Sequence, residues 1–207
     1  MPVHSFLHGF LGCPYDFEGD NPSLDHLQNL HPILIGYSMG GRIALNLAAQ
    51  NPSRFTKLIL IGAHPGLTDD EKPDRHAYEQ KWLTTFSTTT YKEALTLWYN
   101  QPLFDTLRDH PNFDSMFQRR IKFPSPYQNI TRFSLCDQPN YFINLPPVPI
   151  LYLYGEHDHK FKAIALRLKE LHPHIQIKQV PNAGHAVPTE APNALKTIIQ
   201  SKLSSLK

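Results

Sequence analysis

The stretch ILIGYSMGGRIAL, residues 33–45, holds a serine between glycines where two apolar patterns meet. Before it, PILIG at 32–36 is a continuous apolar run, as in a short buried strand. After it, Ile43, Ala44, Leu47 and Ala48 recur at helical spacing until NPS at 51–53 ends the run. A strand that passes straight into a helix needs a sharp turn, and Gly36-Tyr37-Ser38-Met39-Gly40 fits G-x-S-x-G. In that motif the serine is strained and exposed above a sheet, and the flanking glycines let backbone pass where a Cβ would clash. The helix that follows turns the positive end of its dipole toward the hydroxyl. The pattern predicts Ser38 as the reactive hydroxyl of a nucleophile elbow.

A reactive serine needs a base, and the base needs an acid to orient it. With an elbow, the expected chain order is Ser, Asp, His. NAGHAVPTEAP at 182–192 supplies His185 after the last apolar run, and YGEHDHKF at 154–161 supplies Asp158 after the one before it. Glu156 is the rival acid; Asp158 is preferred because its longer reach past the strand suits a loop carboxylate. Upstream, FLHGFLG at 6–12 ends the first apolar run. There the N–H of Phe10 is positioned to pair with the N–H of Met39 as an oxyanion hole. His8 is expected to bond loop backbone rather than to act in chemistry.

Short apolar runs at 2–8, 57–62, 148–154 and 174–180 join the one at 32–36 as predicted strands, each stopped by Gly, Pro or Asn. Helical patterns lie between them. KFKAIALRLKEL at 160–171 places Ile164, Leu168 and Leu171 on one face, and 190–203 does the same with Leu195, Ile198, Ile199 and Leu203. Strand–helix alternation predicts an α/β fold with a parallel sheet of about five strands. Residues 66–145 break the rhythm: RHAYEQKWLTTFS, TYKEALTLWYNQPLF and SMFQRRIKF read as helices. The chain, 1–207, is therefore expected to be a single domain with a helical cap inserted at about 66–145.

Hydrophobic residues are 41% and charged residues 18%, which suits a globular chain rather than a disordered one. A net charge of +2 and no basic run argue against nucleic acid or a membrane surface as partner. No apolar stretch approaches the roughly 18–20 residues of a membrane span. MPVHSFLHGFLG lacks the basic region and small-residue cleavage site of a signal peptide, so a cytoplasmic protein is expected. Cys13 and Cys136 form no CxxC and are expected to be free thiols. The twelve histidines include His157, His159, His172 and His174, yet none shows metal-ligand spacing, and no metal is expected. GYSMGGR lacks the lysine of a phosphate loop and the spacing of a dinucleotide loop, so no cofactor is expected either.

The elbow, aspartate and histidine in this order resemble the α/β-hydrolase superfamily. The strings GYSMGGR, GAHPGL, LWYNQP, GEHDHKF and AGH together resemble, within it, the 2-succinyl-6-hydroxy-2,4-cyclohexadiene-1-carboxylate synthases of menaquinone biosynthesis. That resemblance runs from about Phe6 to the C-terminus with one gap. It implies a lyase-type reaction: a proton is abstracted from the substrate, pyruvate is expelled and double bonds rearrange. Ser38 and His185 would form the basic pair, with Asp158 behind His185. The substrate carries several carboxylates, and arginine is their best bidentate partner. Arg42, Arg75 and Arg119 match the family's substrate-binding positions, with Arg120 an alternative to Arg119. Tyr37, Trp98 and Phe104 would line the pocket.

One segment departs from the family. Only residues 13–35 separate HGFLG from GYS, where the family fits a further strand and helix, and the strands that usually precede FLHGF also have no counterpart. The loss is expected to trim one side of the sheet and expose apolar strand edge. Two other functions stay open: a serine hydrolase of small esters, thioesters or C–C bonds, and an inactive homologue that only binds.

Overall fold

A computed structural model describes residues 4–17, 22–24 and 27–204. The expected strands form β1 (Ser5–Leu7), β2 (Ile33–Tyr37), β3 (Lys57–Ile61), β4 (Ile150–Gly155) and β5 (Gln176–Val180). Residues 2 and 3 of the first expected strand lie outside the described residues. Among those described, the strands make one sheet in the order β1-β2-β3-β4-β5, every pairing parallel. Register is continuous across the centre, with Leu34 beside Leu58 and Leu58 beside Ile150.

Side chains alternate from face to face along a strand, so a sheet covered on both sides has two apolar sets in each strand. Leu34, Leu58, Leu60, Ile150 and Tyr152 point to one face, where they meet Ile43 and Ala44 of α1 (Met39–Gln50). Ile35, Ile59, Ile61, Leu151 and Leu153 point to the other face. Continuous apolar runs in β2, β3 and β4 are the outcome of that double burial; β5 alternates instead, with Gln176 and Lys178 exposed. Tyr152 carries a polar tip into this layer; it is fully buried, and its hydroxyl donates to Ala63 O at 2.7 Å.

Between β3 and β4 lie the helices of the expected cap: α2 (Lys72–Thr88), α3 (Tyr91–Tyr99), α4 (Asp105–Arg108), α5 (Phe113–Lys122) and α6 (Asn129–Arg132). Its own core is aromatic, built on Trp82, Phe86, Trp98, Tyr99 and Phe104 with Leu95, Leu107 and Met116. Thr90 starts α3 with a reciprocal cap: its hydroxyl accepts from Glu93 N, and its own N–H donates to the Glu93 carboxylate. After β4 come α7 (His159–Leu171), then β5, α8 (Val187–Glu190) and α9 (Pro192–Ser204). Leu195, Ile198 and Ile199 of α9 cover the second face of the sheet.

Two expectations are corrected. In α7, Ile164 and Leu168 are buried with Phe161 and Ala165, but Leu171, at the helix end, is 50% exposed. The helix outruns the sheet it covers by its last residue. The strand edge expected to be exposed is also not bare: all of β1 is buried. Phe17 stacks on Phe6 with ring centroids 4.7 Å apart, and His31 N donates to Ser5 Oγ at 3.0 Å. Phe17 and His31, in the connection between β1 and β2, thus pack against β1.

Candidate active site

Ser38 lies between β2 and α1 with φ 51° and ψ −112°, a left-handed conformation that costs a non-glycine residue of order 1–3 kcal/mol. The glycines around it are dictated by space. A Cβ on Gly36 would lie 2.5 Å from Gly40 O, and one on Gly40 would lie 2.0 Å from Leu7 O. The turn is therefore pressed against its own helix and against the end of β1. Ser38 N donates to Ile61 O at 2.8 Å, which pins the elbow to the neighbouring strand.

His185 Nε2 stands 3.2 Å from Ser38 Oγ, and His185 Nδ1 stands 2.8 Å from Asp158 Oδ2. A carboxylate only accepts, so Nδ1 carries the proton and Nε2 is left free to take one from the serine. Asp158 rather than Glu156 reaches the imidazole, and the local structure explains why. Asp158 is the N-cap of α7, its Oδ1 accepting from Phe161 N at 3.1 Å while Oδ2 faces His185. Glu156 is taken up by Asn182 N at 2.9 Å. The imidazole is packed among rings, stacked on Phe161 at 4.6 Å with Tyr37 and Phe104 also against it.

These groups open into a cavity of about 770 Å³ beneath the cap. Phe10 and Met39 line it, and among the described residues their N–H groups donate to no carbonyl. Tyr37, Trp98 and Phe104 line it as well. Trp98 meets Phe10 edge-on at 4.7 Å and Trp82 at 4.8 Å, so it is both pocket wall and cap core. His8 is buried beside the site, and its Nδ1 donates to Gly9 O at 2.9 Å, a backbone bond as expected.

The cations gather on one side. Arg42, one turn past Ser38, is buried, and its Nη1 donates to Phe133 O at 2.8 Å. Burial, then the neighbouring Arg75, lowers its guanidinium from 12.5 to about 9, so it remains cationic at pH 7. Arg75 is held by Glu79, whose Oε1 is 2.6 Å from Nε. Glu79 itself is buried and also accepts from Ser134 Oγ and Leu135 N, which fixes the arginine from behind. His64 and Lys160 share this side of the cavity. His64 Nδ1 accepts from Gly66 N, and burial with Lys160 and Arg42 nearby pushes its imidazole down to about 4. It is neutral at pH 7, with its proton on Nε2.

Arg119 is not at the cavity. Its side chain is 35% exposed and its Nε lies 3.8 Å from Asp16 Oδ1. Arg120 lines the cavity instead, buried and bonded to Asp16, with Tyr99 Oη at 3.4 Å. Successive residues of a helix differ by about 100° in direction, so only one of two adjacent arginines faces inward. Burial alone would lower the Arg120 guanidinium, but Tyr99 and Asp16 outweigh it and hold the charge firmly.

The geometry of elbow, relay and parallel sheet agrees with the comparison to known proteins. Residues 15–192 match the family described as alpha/beta hydrolase fold. The chain belongs to the α/β-hydrolase fold family. A 2-succinyl-6-hydroxy-2,4-cyclohexadiene-1-carboxylate synthase of Enterobacter sp. (strain 638) is 34% identical to it over 167 residues, 78% of this chain and 62% of that protein. The synthase of the same name from Klebsiella pneumoniae subsp. pneumoniae is 32% identical over 199 residues, 92% of this chain and 77% of that one. The chain thus spans less than two thirds of the Enterobacter relative. The structure of MenH from S. aureus superposes with a TM-score of 0.82 over 97% of this chain and 92% of that chain, at 24% identity, a likeness of fold. Among the described residues, no helix is long and apolar enough to cross a membrane.

Sequence reasoning did not assign His64, Glu79, Asp16 or Lys160. His64 sits within GAHPGL, so a signal was present; Glu79 carried the i, i+4 spacing to Arg75 that marks a helical ion pair.

Proposed function

We propose that this chain carries out the reaction of the synthases it is similar to, eliminating pyruvate from a polycarboxylate cyclohexene substrate. One observation carries the reading: the cavity that holds the Ser38–His185–Asp158 relay also holds two arginines, Arg42 and Arg75, on one side. A hydrolase of neutral esters has no use for a buried cation one turn from its nucleophile, as Arg42 is, with a second, half-buried one beside it on α2. A polycarboxylate does, because a charged hydrogen bond to a guanidinium out of water is about twice as strong as a neutral one.

In this reading His185, kept in the correct tautomer by Asp158, draws the proton from Ser38 Oγ, and the activated oxygen removes a proton from the substrate carbon. The electron pair left behind moves into the ring, the C–O bond to the departing group breaks, and the group leaves as the enolate of pyruvate; Ser38 keeps the carbon's proton, and the proton held by His185 passes to the enolate, which restores the neutral imidazole. Negative charge that develops on oxygen during the step is met by the N–H groups of Phe10 and Met39. Arg42 and Arg75 hold carboxylates, His64 adds a neutral donor, and Tyr37, Trp98 and Phe104 pack against the ring. Arg75 meets Glu79 through Nε alone, whereas Arg120 gives Nε to Tyr99 and Nη1 to Asp16 and is withdrawn from this task. Cys13 and Cys136 are both free thiols, which supports a reducing, cytoplasmic setting.

The test is direct. Purified chain is given the synthase substrate and pyruvate release is followed, with a p-nitrophenyl ester assayed in parallel. Pyruvate release that disappears in Ser38→Ala supports the reading. Ester turnover without pyruvate would replace it with the hydrolase, and neither activity would leave a binding protein.

A further inference from the structure

We infer that Glu190 is a positioning residue for His185, and that its role requires a carboxylate; this rests on the relay described above. His185 lies in the loop between β5 and α8, and a loop histidine is no better placed than its backbone. That backbone is tied on both sides to one buried side chain. Glu190 Oε2 accepts from Gly184 N at 2.7 Å, and Glu190 Oε1 accepts from Ala186 N at 2.9 Å. One carboxylate thus spans the residues immediately before and after the imidazole. The single turn of α8 folds it into place, with Glu190 N donating to Ala186 O at 2.9 Å.

The chemistry of the two bonds selects the side chain. Two N–H donors directed at one group need two acceptor oxygens. A glutamine amide has one, and its NH₂ would face a backbone N–H. The carboxylate is also costly where it stands: it is buried, and among the described residues no lysine, arginine or histidine pairs with it. Its two short charge-assisted bonds offset that cost and make the loop stiff.

The opposite loop is laced to the same segment. His157 N donates to Ala183 O at 2.9 Å and Glu156 N donates to Val180 O at 2.9 Å. Asp158 and His185 are therefore set against each other by backbone, with Glu190 closing the far side.

The experiment uses fluorophosphonate labelling of Ser38, which depends on the relay and not on the substrate, together with kcat and KM for pyruvate release. Glu190→Gln keeps the shape and removes the charge and one acceptor; Glu190→Asp keeps the charge but cannot span both amides. Rates are taken per folded molecule, with the folded fraction read from the labelling endpoint and a melting curve. In both variants labelling and kcat fall by about 100-fold, the cost of displacing a reacting group by about 1 Å, with KM within about twofold. Labelling at the unmodified rate in folded Glu190→Gln would overturn the inference, as would a lower melting temperature with no change in rate per folded molecule. If the unmodified chain labels but releases no pyruvate, the synthase reading fails and the role of Glu190 is decided by the labelling rates of its variants alone. If the unmodified chain does not label, the relay itself is absent and both fall.

Discussion

Asp158 gives each carboxylate oxygen a separate task, so the substitution Asp158→Asn separates them. Oδ1 caps α7 through Phe161 N at 3.1 Å, and Oδ2 holds His185 Nδ1 at 2.8 Å. An asparagine has one acceptor and one donor end. If its oxygen keeps the cap, its NH₂ faces Nδ1 and donates to it, which drives the imidazole proton to Nε2, opposite Ser38. The base is then lost while the fold is kept. The expected fall in kcat is about 10⁴-fold, about 5.4 kcal/mol of transition-state stabilisation. Thermal stability should change little. Asp158→Ala removes the cap as well, at about 1 kcal/mol, which lowers the melting temperature by about 2–4 °C in a chain of this size. Labelling of Ser38 and pyruvate release measure the first effect, and calorimetry the second. Asp158→Asn within about tenfold of the unmodified rate would refute the relay, as would a large loss of stability in Asp158→Asn with activity retained.

Other perturbations probe the cavity and the charges around it. Arg42→Ala should raise KM for the polycarboxylate substrate by about 10- to 100-fold, the worth of one or two charged hydrogen bonds, and leave p-nitrophenyl ester turnover nearly unchanged. Equal losses on both substrates would show that Arg42 only supports the elbow helix. Asp16→Ala strands the buried Arg120 guanidinium and should cost about 3–5 kcal/mol in chemical denaturation, whereas Arg119→Ala, at a half-exposed position, should cost under about 1 kcal/mol. Comparable losses in the two would contradict the inward direction of Arg120. His64 is held neutral with its imidazole lowered from 6.5 to about 4, so the folded state binds fewer protons than the unfolded one in that window. Its contribution is fully present above pH 6.5 and is lost as pH falls toward 4, by about 2–3 kcal/mol. Denaturation curves of His64→Gln across this range should be flatter by that amount; identical slopes would show that His64 titrates in the usual range.

Much of this protein was legible before any tertiary contact was known, because the signals are local. A buried parallel strand is a short apolar run, a helix repeats its apolar residues every three or four positions, and a strand–helix junction with no loop demands small residues around its serine. ILIGYSMGGRIAL carries all of these within one stretch, and the order Ser38, Asp158, His185 follows once the strands are counted. The N-cap preference of aspartate explains the outcome between Glu156 and Asp158: the same residue begins α7 and reaches the imidazole.

What the tertiary structure alone decided depends on groups that meet from far apart. The sequence FQRRIKF shows two adjacent arginines but not which way the helix is rolled, and a roll of about 100° per residue exchanges their surroundings. Arg120 is chosen by Asp16, more than a hundred positions away, in a segment with no counterpart rule in the chain's periodicity. The covering of β1 by Phe17 and His31 and the seat of Arg75 on Glu79, Ser134 and Leu135 are of the same kind. Periodicity records which side of an element is dry; it does not record which distant partner stands there, and for a buried charge the identity of that partner sets both its direction and its use.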